Sequence, residues 1–162
     1  QNFPTVGIID GTFRLALEET GMGYGLEVDM IRCAHEIDLL TCPYVFDSEQ
    51  AEAMTRAGAD IIVPHMGITT KGHGGGKTTI SLDQAVERVQ AMHDAAKRVN
   101  PDVIVLCHGG PIATPEEAEY VLTHVRGAHG FFGGASNDVL AAEPAITAFI
   151  QKFKQIRVSV PA

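Results

Sequence analysis

The chain has 162 residues, 45% hydrophobic and 20% charged, enough for one globular domain with its own core. Twenty acids against twelve bases leave a formal charge of −8, which excludes the basic stripe of a nucleic-acid surface but not a small anion held by backbone donors. No apolar run approaches the roughly 20 residues of a membrane span, no signal peptide is visible, and Cys33, Cys42 and Cys107, odd in number and without C-x-x-C spacing, fit a reduced, cytoplasmic setting.

The chain opens at Gln1, without methionine, and enters an apolar run at once, so further sequence is expected upstream. PTVGII (4–9) is the first predicted strand, followed by Asp10-Gly11-Thr12 and Arg14. LEVDMIRCAHEIDLL (26–40) predicts a helix, with Glu27 and Asp29 as its polar start rather than as ligands. TCPYVF (41–46) is the second strand. Asp47 then caps DSEQAEAMTRAG, with Gln50 three residues on. DIIVPHM (60–66) is the third strand. Ser81 and Gln84 open a helix in which Leu82, Val86, Val89, Met92, Ala96 and Val99 form one apolar stripe, and Asn100-Pro101 stops it. DVIVLCH (102–108) is the fourth strand, and Thr114, Pro115 and Glu117 open the next helix. GFFGG (130–134) is the fifth strand, and a last helix runs from about residue 144 to 156. The strands are rich in β-branched and aromatic residues with little alternation, as in sheets covered on both faces. Strands alternating with helices predict an α/β fold with a parallel sheet, either doubly wound or part of a (β/α)8 barrel.

Both architectures bind ligands at the C-terminal ends of the strands. Those ends carry Asp10, Arg14, Asp47, His65-Met66-Gly67, Cys107-His108-Gly109-Gly110-Pro111 and Gly133-Gly134-Ala135-Ser136. The HGG and GGAS stretches are candidates for an anion cradle of backbone N–H groups, with tight turns as the alternative. His65 and His108 can serve as general base, oxyanion donor or metal ligand, or as structural hydrogen-bonding groups. Cys107 points away from His108 by strand alternation and reads as a packed residue. Asp10 either holds Mg²⁺ through water or caps the following helix; Arg14 suits a carboxylate or phosphate. His35, His93 and His124 fall in helices as surface or packing residues, and His129 begins a strand away from the site. His73 sits in the glycine loop. No H-x-H, H-E-x-x-H or C-x-x-C motif is present.

GHGGGKTTIS (72–81) imitates a phosphate loop, but Lys71 stands where G-x-x-x-x-G-K-[ST] needs its first glycine, and Lys77 precedes the helix cap by too much. A loop one residue short does not close the same nest of N–H groups.

The stretches NFPTVGIIDGTFR, EETGMGYGLEVDMI, PYVFD, AGADIIVPHMGITT, LCHGGPIATPEEAEYVL and GFFGGAS together resemble the phosphoenolpyruvate hydrolase-like, or phosphonopyruvate hydrolase-like, TIM-barrel family. The resemblance reaches about Lys154 and implies the later part of the barrel, with the family's N-terminal strands absent and about five strands present as one domain. It implies a hydrolase or lyase acting on a small phosphonylated or phosphorylated 2-oxo acid, with Mg²⁺ stabilising an enolate. His65 and His108 are then the catalytic candidates. Arg14, Lys77, Gly109, Gly110, Gly134 and Ser136 are the substrate-binding candidates, and Asp10 the metal candidate. Residues 68–80 become a lid in which Lys71 or Lys77 meets the anion. The expected partners are a small anionic substrate and further copies of the chain, with neither nucleic acid nor membrane. A non-catalytic nucleotide- or ligand-binding signalling barrel is the alternative.

Overall fold

The computed structural model describes residues 2, 7, 9–71, 75–77, 79–138 and 142–155. Four parallel strands, β1 (Tyr44–Val45), β2 (Ile61–Pro64), β3 (Ile104–Cys107) and β4 (Gly130–Phe131), lie side by side in the order β1-β2-β3-β4. Each step moves one place in the same direction, as in a barrel wall; a doubly wound sheet would reverse. The strands are shorter than their sequences suggest, and the predicted strand at 4–9 falls mostly on residues outside the described set, with Gly7 in a turn and Ile9 irregular.

Seven helices are found among the described residues: α1 (Gly11–Glu19), α2 (Gly25–Glu36), α3 (Ser48–Arg56), α4 (Leu82–Val99), α5 (Pro115–His124), α6 (Ala135–Asn137) and α7 (Glu143–Lys154). Local chemistry starts three of them. The Asp47 carboxylate accepts the Gln50 N–H, and Ser81/Gln84 and Thr114/Glu117 form complete capping boxes. Helix α2 ends four residues before the predicted limit of 40, because Asp38 takes φ 61° and turns the chain out of the helix.

The core lies between the sheet and α3, α4 and α5. Val45, Ile62, Val105 and Cys107 point from the strands into it and meet Ala51, Met54, Ala85, Val89, Met92, Ala96, Ala118 and Val121. The strand residues between them therefore face the other side. At the N-terminal end of the sheet the Asp60 carboxylate accepts the N–H and hydroxyl of Thr41, both at 2.7 Å. No helix among the described residues is long and apolar enough to cross a membrane.

Candidate functional site

His65 and His108 each stand one residue past a strand and pair with one another in a parallel bridge. Being out of phase with Cys107, their side chains leave the core and meet above the sheet, ring centroids 4.7 Å apart and planes at 75°. Tyr44 lies edge-on 4.9 Å from His65 and tilted 5.0 Å from His108, Phe46 lies 5.0 Å from His65, and Phe132 lies 5.7 Å from His108. Two imidazoles thus sit in an aromatic collar at the C-terminal ends of four adjacent strands. Cys107 is wholly buried on the opposite face, and burial pushes its thiol up to about 11, so it packs and does not react.

Each ring has one nitrogen committed. The Gly67 N–H donates to His65 Nδ1 at 3.0 Å, which places the His65 proton on Nε2. His108 Nδ1 lies 2.7 Å from the Phe132 carbonyl and must donate to it, which leaves Nε2 with its lone pair. One imidazole therefore offers a donor and its neighbour an acceptor. Both are held neutral. Burial, then the neighbouring His108, lowers His65 from 6.5 to about 4. Burial also lowers His108, against the opposing pull of the Phe132 carbonyl.

The depressed pKa has a sign for stability. The unfolded chain takes up a proton on His65 near 6.5, the folded chain only near 4, so stability is full above 6.5 and falls as the pH drops toward 4. Urea unfolding at pH 7 and pH 4.5 should show that loss, and His65→Gln should reduce it. An unchanged pH dependence in the variant would remove His65 from this role.

The loops above the pair explain the glycines. Gly109 (φ 77°) and Gly110 (φ 58°) run against the Met66–Gly67 backbone, and the Gly110 N–H donates to the Gly67 carbonyl at 2.7 Å. A Cβ on Gly109 would stand 2.6 Å from the Gly67 oxygen and 3.3 Å from His65 Cε1; one on Gly134 would stand 3.3 Å from His108 Cε1. These positions are bare so that the two imidazoles fit beside the loops. The Gly110 N–H is thus already engaged and does not face an anion. The N-terminus of α5 is likewise occupied: Glu117 Oε2 accepts the N–H groups of Ala113 and Thr114, and Oε1 meets Lys71 Nζ at 2.7 Å. Burial works to raise the Glu117 pKa, but Lys71 and the two N–H groups outweigh it and hold the carboxyl below its ordinary range. Lys71 is therefore a strut between the loop after β2 and the first turn of α5. Gly76 donates its N–H to the Thr69 carbonyl, and Lys77 is exposed; residues 72–74, with His73, and Thr78 lie outside the described residues.

Two adjoining cavities, of about 370 and 580 Å³, open beside the collar and share Gly7, Asp10 and Phe46. His65, Gly67, Ile68 and Arg88 line the first; Arg14, Glu18 and Asp47 line the second. Arg14 Nε meets Glu18 at 2.7 Å, and its guanidinium lies 6.0 Å from the Tyr24 ring centre. Asp10 is exposed and does not cap α1 through its side chain. Ser136 is buried and lines a separate cavity of about 390 Å³ with Ala113, Thr114, Ala118 and Phe131 on the helix side of the sheet. Among the described residues no three His, Cys, Asp or Glu side chains group as metal ligands. The other described histidines are structural: His93 meets Asp94 at 2.9 Å, His124 stacks on Tyr120, His35 lies against Gly58, and His129 Nδ1 accepts the Val105 N–H. Sequence reasoning did not find Tyr44, Phe46, Phe132 or Arg88.

The phosphoenolpyruvate hydrolase-like family profile matches residues 1–156. The chain is 61% identical over 156 residues to the tomato (Solanum lycopersicum) ToMV susceptible protein tm-1(GCR26) and 60% identical to the tomato ToMV resistance protein Tm-1(GCR237). Each match covers 96% of this chain and 21% of the tomato protein. It is 31% identical over 155 residues to the provisionally assigned transcriptional regulatory protein y4pA of Sinorhizobium fredii, covering 96% of this chain and 25% of that one. The chain thus spans between a fifth and a quarter of these relatives' length. Among solved structures, a provisionally assigned phosphonomutase from Burkholderia cenocepacia superposes with a TM-score of 0.50 at 18% identity, over 70% of this chain and 52% of the other. That likeness shows the fold, a partial α/β barrel. The chain belongs to the phosphoenolpyruvate hydrolase-like family.

Proposed function

We propose that this member of the phosphoenolpyruvate hydrolase-like family binds a small phosphonylated or phosphorylated 2-oxo acid at its strand ends and cleaves a C–P or C–C bond through an enolate. The pairing of a donor imidazole with an acceptor imidazole carries this proposal. With a phosphonopyruvate-like substrate, His108 Nε2 takes a proton from the water that attacks phosphorus. The C–P bonding electrons pass into the 2-oxo group, and the His65 Nε2–H donates to the enolate oxygen as charge develops. Reprotonation at carbon gives the 2-oxo acid, and the phosphorus leaves as inorganic phosphate. Neutral imidazoles in an aromatic collar suit this work, since both lone pair and donor survive below the ordinary histidine range.

Arg14 is the proposed carboxylate partner, with Gly109 and Gly134 giving clearance around the rings. Lys77 is kept as a contact for the anion and Gly110 as a support of the loops, while Ser136 lines the separate cavity on the other face. Magnesium belongs to the family resemblance; the described residues supply Asp10, Glu18 and Asp47 near the cleft, with Glu18 engaged by Arg14 and Asp47 as a cap, and so do not fit a magnesium site. Every step above is carried by the chain's own groups.

A non-catalytic ligand-sensing barrel is the alternative, favoured by the relatives' names and by the small share of their length that the chain spans. Thermal melting of the full-length protein with phosphonopyruvate, phosphoenolpyruvate, oxaloacetate or ATP, with phosphorus NMR for turnover, separates the two. Stabilisation by an oxo acid together with phosphate release supports the enzyme. Stabilisation by ATP alone, lost in Lys77→Ala, supports the sensor and discards the oxo acid.

A further inference from the structure

Phosphonate and carboxylate groups bring negative charge, and two neutral histidines do not answer it. Arg14, Arg32, Arg56 and Arg98 are each drawn to a carboxylate: Glu18, Asp29, and Glu52 for the last two. Arg88 is not. Its helical neighbours at three and four residues are Gln84, Ala85, Ala91 and Met92, so α4 gives it no acidic side chain to pair with. Among the described residues it has no ion-pair or hydrogen-bond partner across the fold either. It nonetheless lines the 370 Å³ cavity that His65 lines, together with Gly67 and Ile68 from the loop after β2. Helix α4 begins at the end of the sheet where the ligand would enter, and Arg88 lies in its second turn.

We infer that Arg88 is the anion-recognising residue of the His65 cavity and takes the phosphonate or phosphate group of the ligand, as the fork of a guanidinium allows with two parallel hydrogen bonds. Asp10, on the same cavity, sets the opposite sign. It disfavours a second anion there, so the cavity selects for one compact dianionic group beside His65. This assignment rests on the proposed oxo-acid function for its place in a reaction, but not for the existence of the anion site.

The test is calorimetric titration of the full-length protein with inorganic phosphate, phosphonopyruvate and pyruvate, for the wild type, Arg88→Gln, Arg88→Lys and Asp10→Asn. Arg88 is exposed on a helix and has no partner to lose, so Arg88→Gln should melt with the wild type. It should weaken phosphate and phosphonopyruvate at least about tenfold, a typical charge-assisted contact, and leave pyruvate unchanged. Arg88→Lys should fall between, and Asp10→Asn should tighten phosphate. Equal phosphate binding by the wild type and Arg88→Gln, or none by the wild type, would overturn the assignment. Arg88-dependent phosphate binding with indifference to both oxo acids would uphold Arg88 and discard the oxo-acid function.

Discussion

His108→Asn should lower turnover of phosphonopyruvate by about 10²- to 10⁴-fold, the usual worth of a positioned general base, while the protein still folds. The His108 ring has two separate duties. Its Nδ1–H ties β3 to the Phe132 carbonyl at 2.7 Å, and its Nε2 offers the lone pair. Asparagine has a terminal amide that can give the first bond and has nothing at the place of Nε2. The substitution therefore divides structure from chemistry, as alanine would not, because alanine also leaves the half-buried Phe132 carbonyl without this donor. His65→Gln tests the partner. Its amide can accept the Gly67 N–H but lacks the rigid Nε2–H, so the enolate loses a donor, a loss of about 10²- to 10³-fold. Full turnover in His108→Asn, with melting unchanged, would remove the base from the mechanism.

What was legible in the sequence was local. The caps at Asp47, Ser81 and Thr114 need only a side chain and a backbone N–H three residues on, so their motifs can be read without the fold. The strand cores could be placed because their apolar runs are continuous. The end of α2 could not: the left-handed turn falls on Asp38, where glycine or asparagine would have signalled it. His65 and His108 could each be found at a strand end, but their contact is a matter of register, and register pairs residues 43 apart. Their tautomers depend on Gly67 and Phe132, which no motif announces. Glu117 is legible as half of a capping box; that its other oxygen holds Lys71, 46 residues away, is not. Arg88 reads as one more polar residue on an amphipathic helix. Only the fold shows that this turn of α4 borders the cavity.

Gly110→Ala should be the most damaging small substitution in the site, lowering stability by about 2–5 kcal/mol. Two effects combine. At φ 58° an alanine pays about 1–2 kcal/mol for the left-handed region. Its Cβ would also stand 2.3 Å from the Met66 carbonyl oxygen and 2.9 Å from the carbonyl carbon, and backbone does not move aside as a side-chain end does. Relief means separating the two loops, with the Gly110 N–H leaving the Gly67 oxygen and Thr70 leaving the Gly110 carbonyl; overpacking of this kind costs about 1–3 kcal/mol. Each kcal/mol moves the midpoint of a chain of this size by about 2–4 °C. Gly11→Ala is the control: φ is 64°, yet nothing lies within 4 Å of its Cβ, so it carries the conformational cost alone. A larger drop for Gly110→Ala than for Gly11→Ala, with ligand affinity following the folded fraction, means that Gly110 serves to hold the β2 and β3 loops together. An unchanged melting point with affinity lost would instead give Gly110 to the anion. The first outcome is expected, because the N–H that an anion would need is already bound at 2.7 Å.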